Sequence, residues 1–272
     1  MMLELPESNT MARQLNETIQ GLTICKVSVN KSPHKFAWFN GDPNNYHRLL
    51  SDKCIGKALA YGSLVEILVA DIRLVFGHGV NLRFFKPGEK PPSKHQLKLD
   101  FADSSSLICS VQMYGTLWAF NEGENEPYYL VAKEKPSPLS EQFDLNYFTS
   151  LYNQDDNMSA KAFLATKQRI PGLGNGVLQD ILFRAQIRPK RKMSSLTTKE
   201  FEAMYQAVKS TLSEMTVKGG RDTEKDLFGS SGGYKTILSS KTIDRPCLRC
   251  NSKIIREAYM GGNIYFCPVC QR

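Results

Sequence analysis

A chain of 272 residues with 41% hydrophobic and 23% charged residues has the makeup of a globular protein of one large or two modest domains. Its net charge of +8 favours a polyanionic partner, and no stretch is long and apolar enough to span a membrane. The N-terminal MMLELPES has neither the basic nor the apolar region of a secretory signal, and the seven cysteines are odd in number. A cytoplasmic protein is expected, nucleoid-associated in a bacterium, and not a secreted disulfide framework.

In chain order, Met11, Leu15 and Ile19 recur every four residues and predict a helix over 8–20, capped by Ser8 or Asn9 and ended by Gly21. A strand follows over 22–29, and residues 31–50 read as loop-rich. Apolar runs broken by turn residues predict short strands within 56–85 and over 97–101, 107–114, 116–120 and 128–133. Glu66 and Asp71 interrupt the longest run and argue against a buried helix. Residues 22–133 are therefore expected to form an all-β sandwich or barrel, with Cys25, Cys54 and Cys109 as buried thiols in its strands.

The charged, proline-rich 133–138 marks a domain boundary. Beyond it, Ser140 caps an expected helix carrying Phe143, Leu145, Phe148 and Leu151, and residues 198–215 form another with Phe201, Tyr205, Val208 and Leu212 on one face. Between them, residues 161–192 read as two helices around the turn Pro171-Gly172-Leu173-Gly174-Asn175. Pro171 cannot continue a helix, the glycines permit close backbone approach, and Asn175 suits an N-cap. The helix start is a ready anion site, and Arg188, Lys190, Arg191 and Lys192 add positive charge. The arrangement suits a nucleic-acid phosphate or, alternatively, an ordinary helical connection with a solvated basic face. Residues 219–234 contain five glycines and no periodicity, so a mobile loop is expected, either a lid or a connector.

The strongest local signal is at the end. Cys247-x2-Cys250 and Cys267-x2-Cys270 are separated by sixteen residues, the spacing of a zinc ribbon. Four thiolates around one Zn2+ form a closed, structural site. Ile254, Ile255, Ile264, Tyr265 and Phe266 predict a β-hairpin between the pairs.

Glu4-Leu5-Pro6-Glu7, Gly56-Lys57-Ala58-Leu59, Lys161 with the Pro171–Asn175 turn, and the ending Cys267-Pro268-Val269-Cys270-Gln271 stand in this order. Over essentially the whole chain, that order resembles the formamidopyrimidine-DNA glycosylase/endonuclease VIII family of base-excision repair enzymes. The resemblance implies an α+β fold of two domains: an N-terminal helix plus β-sandwich (1–135), then a helical helix–two-turns–helix domain (136–240) with a C-terminal zinc-ribbon hairpin (241–272). It implies a monomer holding double-stranded DNA with a damaged base or abasic site in the interdomain cleft. Lys161 and Asn175 match the family's phosphate contacts, with Gly174 in the turn and Arg188 and Lys190 beside it. His78 and Gln112-Met113-Tyr114 match loops that fill the gap left by an extruded base, although Met113 and Tyr114 equally suit a sheet core.

In the family an N-terminal proline amine attacks the sugar and forms a Schiff base, the next residue, a glutamate, acts as general acid/base, and a lysine assists. Here Glu4 and Lys57 match the last two, but Leu3 stands at the proline position. A family arginine of the zinc hairpin is Gly262, the arginine facing the opposite base is Gln112, and the region of a DNA-contacting histidine offers His95 or Lys98. The expectation is a DNA glycosylase for an oxidised, ring-opened or alkylated base, with strand cleavage weak or absent. Water activated by Glu4, an amine at Met1 or Met2, and Lys57 remain the candidate nucleophiles. The alternatives are a non-catalytic damaged-DNA-binding protein on the same fold and, more distantly, a zinc-ribbon RNA-binding or ribosome-associated protein.

Overall fold

Pro6 lacks an N–H that the first turn of a helix does not need, and helix α1 (Leu5–Thr18) begins around it, earlier than the apolar spacing alone places it. The computed structural model describes residues 2–124, 126–153 and 157–272. Ser8 lies inside α1, its hydroxyl donating to the carbonyls of Leu5 and Gly62 instead of capping. Met11, Leu15 and Ile19 are buried as their spacing predicts.

There follow β1 (Ile24–Val29), β2 (Ala37–Phe39), α2 (Tyr46–Leu50), β3 (Ile55–Tyr61), β4 (Leu64–Val69), β5 (Ile72–Phe85), β6 (Leu97–Phe101) and β7 (Ser106–Asn121). The strands make one sheet in the order β1-β6-β7-β5-β4-β3, with β2 parallel on β7. The long β5 and β7 pair along their length, and their register breaks between His78 and Val80. A Cβ at Gly79 would overlap the Tyr114 carbonyl there. Such a bulge bends a sheet. Leu97, Leu99 and Cys109 from one half and Val65, Ile67 and Phe76 from the other join a single core with Met11, Leu15 and Ile19 of α1. The result is the expected sandwich. Gly115 sits at the bend, so the two strands expected around it are one.

Other details differ from the sequence reading. Segment 128–133 is helix α3 (Pro127–Glu134), opened by its proline, with Tyr129 and Ala132 buried. The Tyr129 hydroxyl donates to the buried Glu66 carboxylate. The loop-rich 31–50 holds β2 and α2, and the buried Tyr46 hydroxyl donates to the Leu117 carbonyl. Cys25 and Cys54 are exposed; of the three scattered thiols Cys109 alone is buried.

The helical part comprises α4 (Leu145–Ser150), α5 (Ala160–Ala165), α6 (Asn175–Ala185) and α7 (Thr198–Val217), the last begun by a capping box of Thr197 and Glu200. Phe148, Phe163, Val177, Ile181, Val208 and Leu212 form its core. Strands β8 (Ile255–Tyr259) and β9 (Gly262–Phe266) make the terminal hairpin, whose Ile254 and Tyr265 pack with Phe183 of α6. Residues 219–234 are a packed strap, not a mobile loop. Leu227 enters the sandwich core and Tyr234 the helical core. Among the described residues no helix is long and apolar enough to cross a membrane.

The two halves meet where Gly172 faces Gly62. Gly172 has φ +80° and its carbonyl accepts the Leu5 N–H at 2.9 Å. A Cβ on Gly172 would overlap the Gly62 backbone. Gly172→Ala is expected to lower unfolding stability by at least about 1–2 kcal/mol, the cost of the left-handed conformation alone. Denaturant unfolding checks this.

Candidate active site

Glu4 is extended backbone at the start of α1, the N-cap residue before Leu5. Leu3 before it enters the sandwich core and Leu5 after it the helical core, which leaves Glu4 at the junction between the two. Helix α6 has Gly174 as its N-cap residue, which brings no side chain of its own to cap it. Glu4 supplies the cap from across the junction. Its Oε1 accepts the Gly176 N–H at 2.8 Å and its Oε2 the Val177 N–H at 2.7 Å. The anion site assigned by sequence to a phosphate thus holds the protein's own carboxylate, and Asn175 is the first helical residue, not the cap. A Cβ at Gly174 would overlap the Glu4 carboxylate, and one at Gly176 would overlap the Arg221 guanidinium.

Arg221 is the site residue that the sequence reading missed. Only 3% exposed, it donates from Nε and Nη2 to the two oxygens of Glu7, each at 2.9 Å. Its Nη1 lies 3.3 Å from Glu4 Oε2, and Nη2 lies 3.9 Å from Glu224. Glu224 in turn accepts the Met2 N–H at 2.8 Å. Glu4 is 4% exposed, and burial raises its pKa above the usual carboxylate range while Arg221 opposes the rise. Burial also raises Glu224, again against Arg221. The available sequence signal was one arginine after two glycines with acids at the next and third positions.

Glu4 and Leu3 line a cavity of about 620 Å³ between the halves, with His78, Tyr114 and Tyr128 on one wall and Gln168 and Asn175 on the other. His78 sits in the bulge with φ 59°, a left-handed conformation that is uncommon outside glycine. Its ring contacts Thr116 Oγ1 at 3.2 Å and the Tyr128 hydroxyl at 3.0 Å, and burial lowers its pKa. Tyr114 stacks on Trp38, centroids 5.6 Å apart. Gln112 is exposed and Met113 is 60% exposed, so neither belongs to the sheet core. Lys57 is exposed on β3, outside the cavity lining. The Leu3 N–H donates to the His78 carbonyl at 2.8 Å. Met1 lies outside the described residues.

Lys161 and Asn175 converge on the tip of the terminal hairpin. Lys161 is 4% exposed, its Nζ donates to the Tyr259 carbonyl at 2.7 Å, and burial lowers its pKa. Asn175 Nδ2 donates to the Asn263 carbonyl at 3.0 Å, with Gly262 alongside. Arg188 donates to the carbonyls of Pro268 and Gln271, Lys190 pairs with Glu257, and Arg191 forks onto Glu200. The basic run therefore ties the C-terminal segment to the helices. Lys98 pairs with Asp100, and His95 is buried. All four terminal cysteines are free thiols with sulfurs within 4.8 Å of one another. Cys247–Cys270 and Cys250–Cys267 approach to 3.8 and 3.4 Å, close to the edge of about 3.8 Å that metal–sulfur bonds of about 2.3 Å give a tetrahedron. The cluster fits a metal ion.

A family model described as the formamidopyrimidine-DNA glycosylase H2TH domain matches residues 135–226. The formamidopyrimidine-DNA glycosylase of Cytobacillus firmus is 29% identical over 99% of this chain and 100% of its own length. That of Streptococcus pneumoniae is 28% identical over 100% and 99%. Wild-type Lactococcus lactis Fpg (MutM), solved with DNA containing N7-benzyl-Fapy-dG, aligns with a TM-score of 0.84 at 25% identity over 99% of both chains. The MutM (Fpg) protein of Thermus thermophilus aligns at 0.82 and 24% over 98% of both, a likeness of fold.

The hairpin contact yields a stability test. Lys161→Met leaves the Tyr259 carbonyl without its donor and is expected to cost about 1–3 kcal/mol. Denaturant unfolding, with hydrogen exchange faster at the β8–β9 turn than at α7, is the expected result.

Proposed function

Because the chain belongs to the formamidopyrimidine-DNA glycosylase/endonuclease VIII family, with Leu3 in place of the family's proline, we propose that it is a DNA glycosylase that removes a damaged base from duplex DNA and cleaves the strand weakly or not at all. The observation carrying this reading is Glu4, fixed by two helix amides at the edge of a cavity open between the domains. The reading includes a monomer acting in the cytoplasm, with domains over 1–135 and 136–240 and a zinc finger over 241–272. Lys161, Gly174 and Asn175 hold phosphates around the lesion, Arg188 and Lys190 add attraction, and His78, Gln112, Met113 and Tyr114 fill the vacated stack. Lys161 exchanges the Tyr259 carbonyl for a phosphate when DNA enters.

Two carboxylate oxygens offer about four lone-pair sites. Glu4 therefore keeps acceptor capacity for a water beyond its two amides and Arg221. Water attacks the sugar carbon as the N-glycosyl bond breaks. Its proton passes to Glu4, and the bond's electron pair leaves with the base, which is then protonated. The Leu3 nitrogen is an amide whose lone pair is delocalised and whose hydrogen is bonded to His78, which supports hydrolysis over imine formation. Lys57, outside the cavity lining, keeps in this reading the role of an assisting residue.

Duplexes carrying oxidised, ring-opened or alkylated bases, treated with hot alkali, should report release of at least one base. Glu4→Gln should slow it by about 10²–10⁴-fold, the usual worth of a positioned acid/base. On the acid side the rate should fall as pH drops through the raised Glu4 pKa, since the protonated form cannot take a proton from water. Borohydride should trap no cross-link on abasic DNA. Trapping at Met1 or Met2, or trapping abolished by Lys57→Ala, would assign an imine instead. Binding without release of any base would favour the non-catalytic damaged-DNA-binding protein.

Cys247, Cys250, Cys267 and Cys270 would hold one Zn2+, which supplies structure and no reaction chemistry. Metal analysis should find one equivalent, and chelation should unfold β8–β9 selectively. A metal-free protein with the same hairpin would overturn the assignment.

A further inference from the structure

Glu4, the N-cap residue of α1, and Glu7, in its first turn, are three positions apart and both buried. The Glu7 carboxylate disfavours charge on Glu4, and so does burial. The groups facing Glu4 are the amides of Gly176 and Val177, the Glu7 carboxylate and the Arg221 guanidinium; Glu224 approaches Arg221 at Nη2, 3.9 Å away. We propose that Arg221 is a positioning residue for Glu4, its guanidinium clamped by Glu7 and aimed at Glu4 Oε2. This rests on the reading of Glu4 as the group that takes the proton.

The clamp is built from both ends. Besides the two bonds from the side chain, the backbone N–H of Arg221 donates to Glu7 Oε1 at 3.0 Å. Tyr234 secures the strap, its N–H donating to the Gly220 carbonyl and its own carbonyl accepting the Asp222 N–H. With Nε and Nη2 committed to Glu7, the remaining nitrogen Nη1 is directed at Glu4. A planar fork can serve two carboxylates at fixed angles, which a lysine ammonium cannot reproduce. Gly176 leaves the space that Nη1 occupies. The amides of α6 set where the Glu4 oxygens lie, and Arg221 supplies the one full positive charge among the groups facing them.

This arrangement makes two substitutions act in opposite directions. Removing the Arg221 charge leaves Glu4 facing Glu7 uncompensated, so Glu4 holds its proton to higher pH. Removing the Glu7 charge while keeping an acceptor for the fork, in Glu7→Gln, lets Glu4 ionise at lower pH. A role confined to stability would lower the melting temperature in both without opposed titrations.

The experiment is a carboxyl ¹³C NMR titration of the full chain labelled in glutamate, with the Glu4 signal identified by its loss in Glu4→Gln. Relative to the unsubstituted protein, the Glu4 midpoint should rise by about one pH unit or more in Arg221→Met, tenfold in its ionisation constant, and fall by about half a unit in Glu7→Gln. Arg221→Lys should rise by less than Arg221→Met. If Arg221→Met does not fold, Arg221→Lys and Glu7→Gln carry the test. Midpoints that stay put, or move in the same direction, overturn the proposal. The acid limb of base release should follow the same signs. If no base is released from any duplex while the NMR midpoints separate as stated, the role of Arg221 stands and the glycosylase reading falls.

Discussion

One carboxylate capping a helix that belongs to the other domain is the contact on which the rest of this structure depends. Glu4 satisfies two amides of α6 that would otherwise be left open, in a helix whose own N-cap is a glycine. The helix amides and the Arg221 charge oppose the burial of that carboxylate, which still raises its pKa. On either side Leu3 and Leu5 anchor the same short segment in two separate cores. Any shift between the domains must therefore move Glu4 against α6. The junction that ties the two cores together and the group proposed to handle a proton are the same few atoms.

The glycines of the hairpin turn acquire a specific meaning in this light. Gly172 takes a positive φ against Gly62, whereas Gly174 and Gly176 are small so that Glu4 and Arg221 can approach. The motif thus records the shape of its partner domain as much as the path of its own backbone. In the sequence it looked like a bare cradle for an external anion, since the internal anion lies about 170 residues away in the chain.

That pattern describes what could be read in advance. Local rules placed most of the sandwich strands, α7 and the four-cysteine hairpin, because each depends on periodicity or spacing within one segment. The resemblance identified the segments carrying Glu4, Asn175 and Lys161. What escaped were long-range electrostatic partners. Arg221 gives no periodic signal, and its partners Glu4 and Glu7 come from the opposite end of the chain. The strap was misread as mobile for the same reason: its order comes from Leu227 and Tyr234 entering two different cores. The 188–192 run was legible as charge, but its engagement with Glu257, Glu200 and the terminal carbonyls depends on tertiary packing. Helix α3 followed from Pro127 at its start, a local signal that the apolar run over 128–133 obscured.

The amide of Leu3 bears on any attempt to convert this chain into an amine-dependent catalyst. Its N–H is bonded to the His78 carbonyl in the bulge, its side chain is buried, and the preceding Met2 N–H is bonded to Glu224. Placing proline at position 3 would remove the donor to His78 while leaving the nitrogen acylated. Trimming the chain to expose it would also discard the bond to Glu224. An engineered nucleophile would therefore require a redesigned bulge and strap, because the nitrogen in question is already part of the scaffold that keeps its neighbour, Glu4, in place.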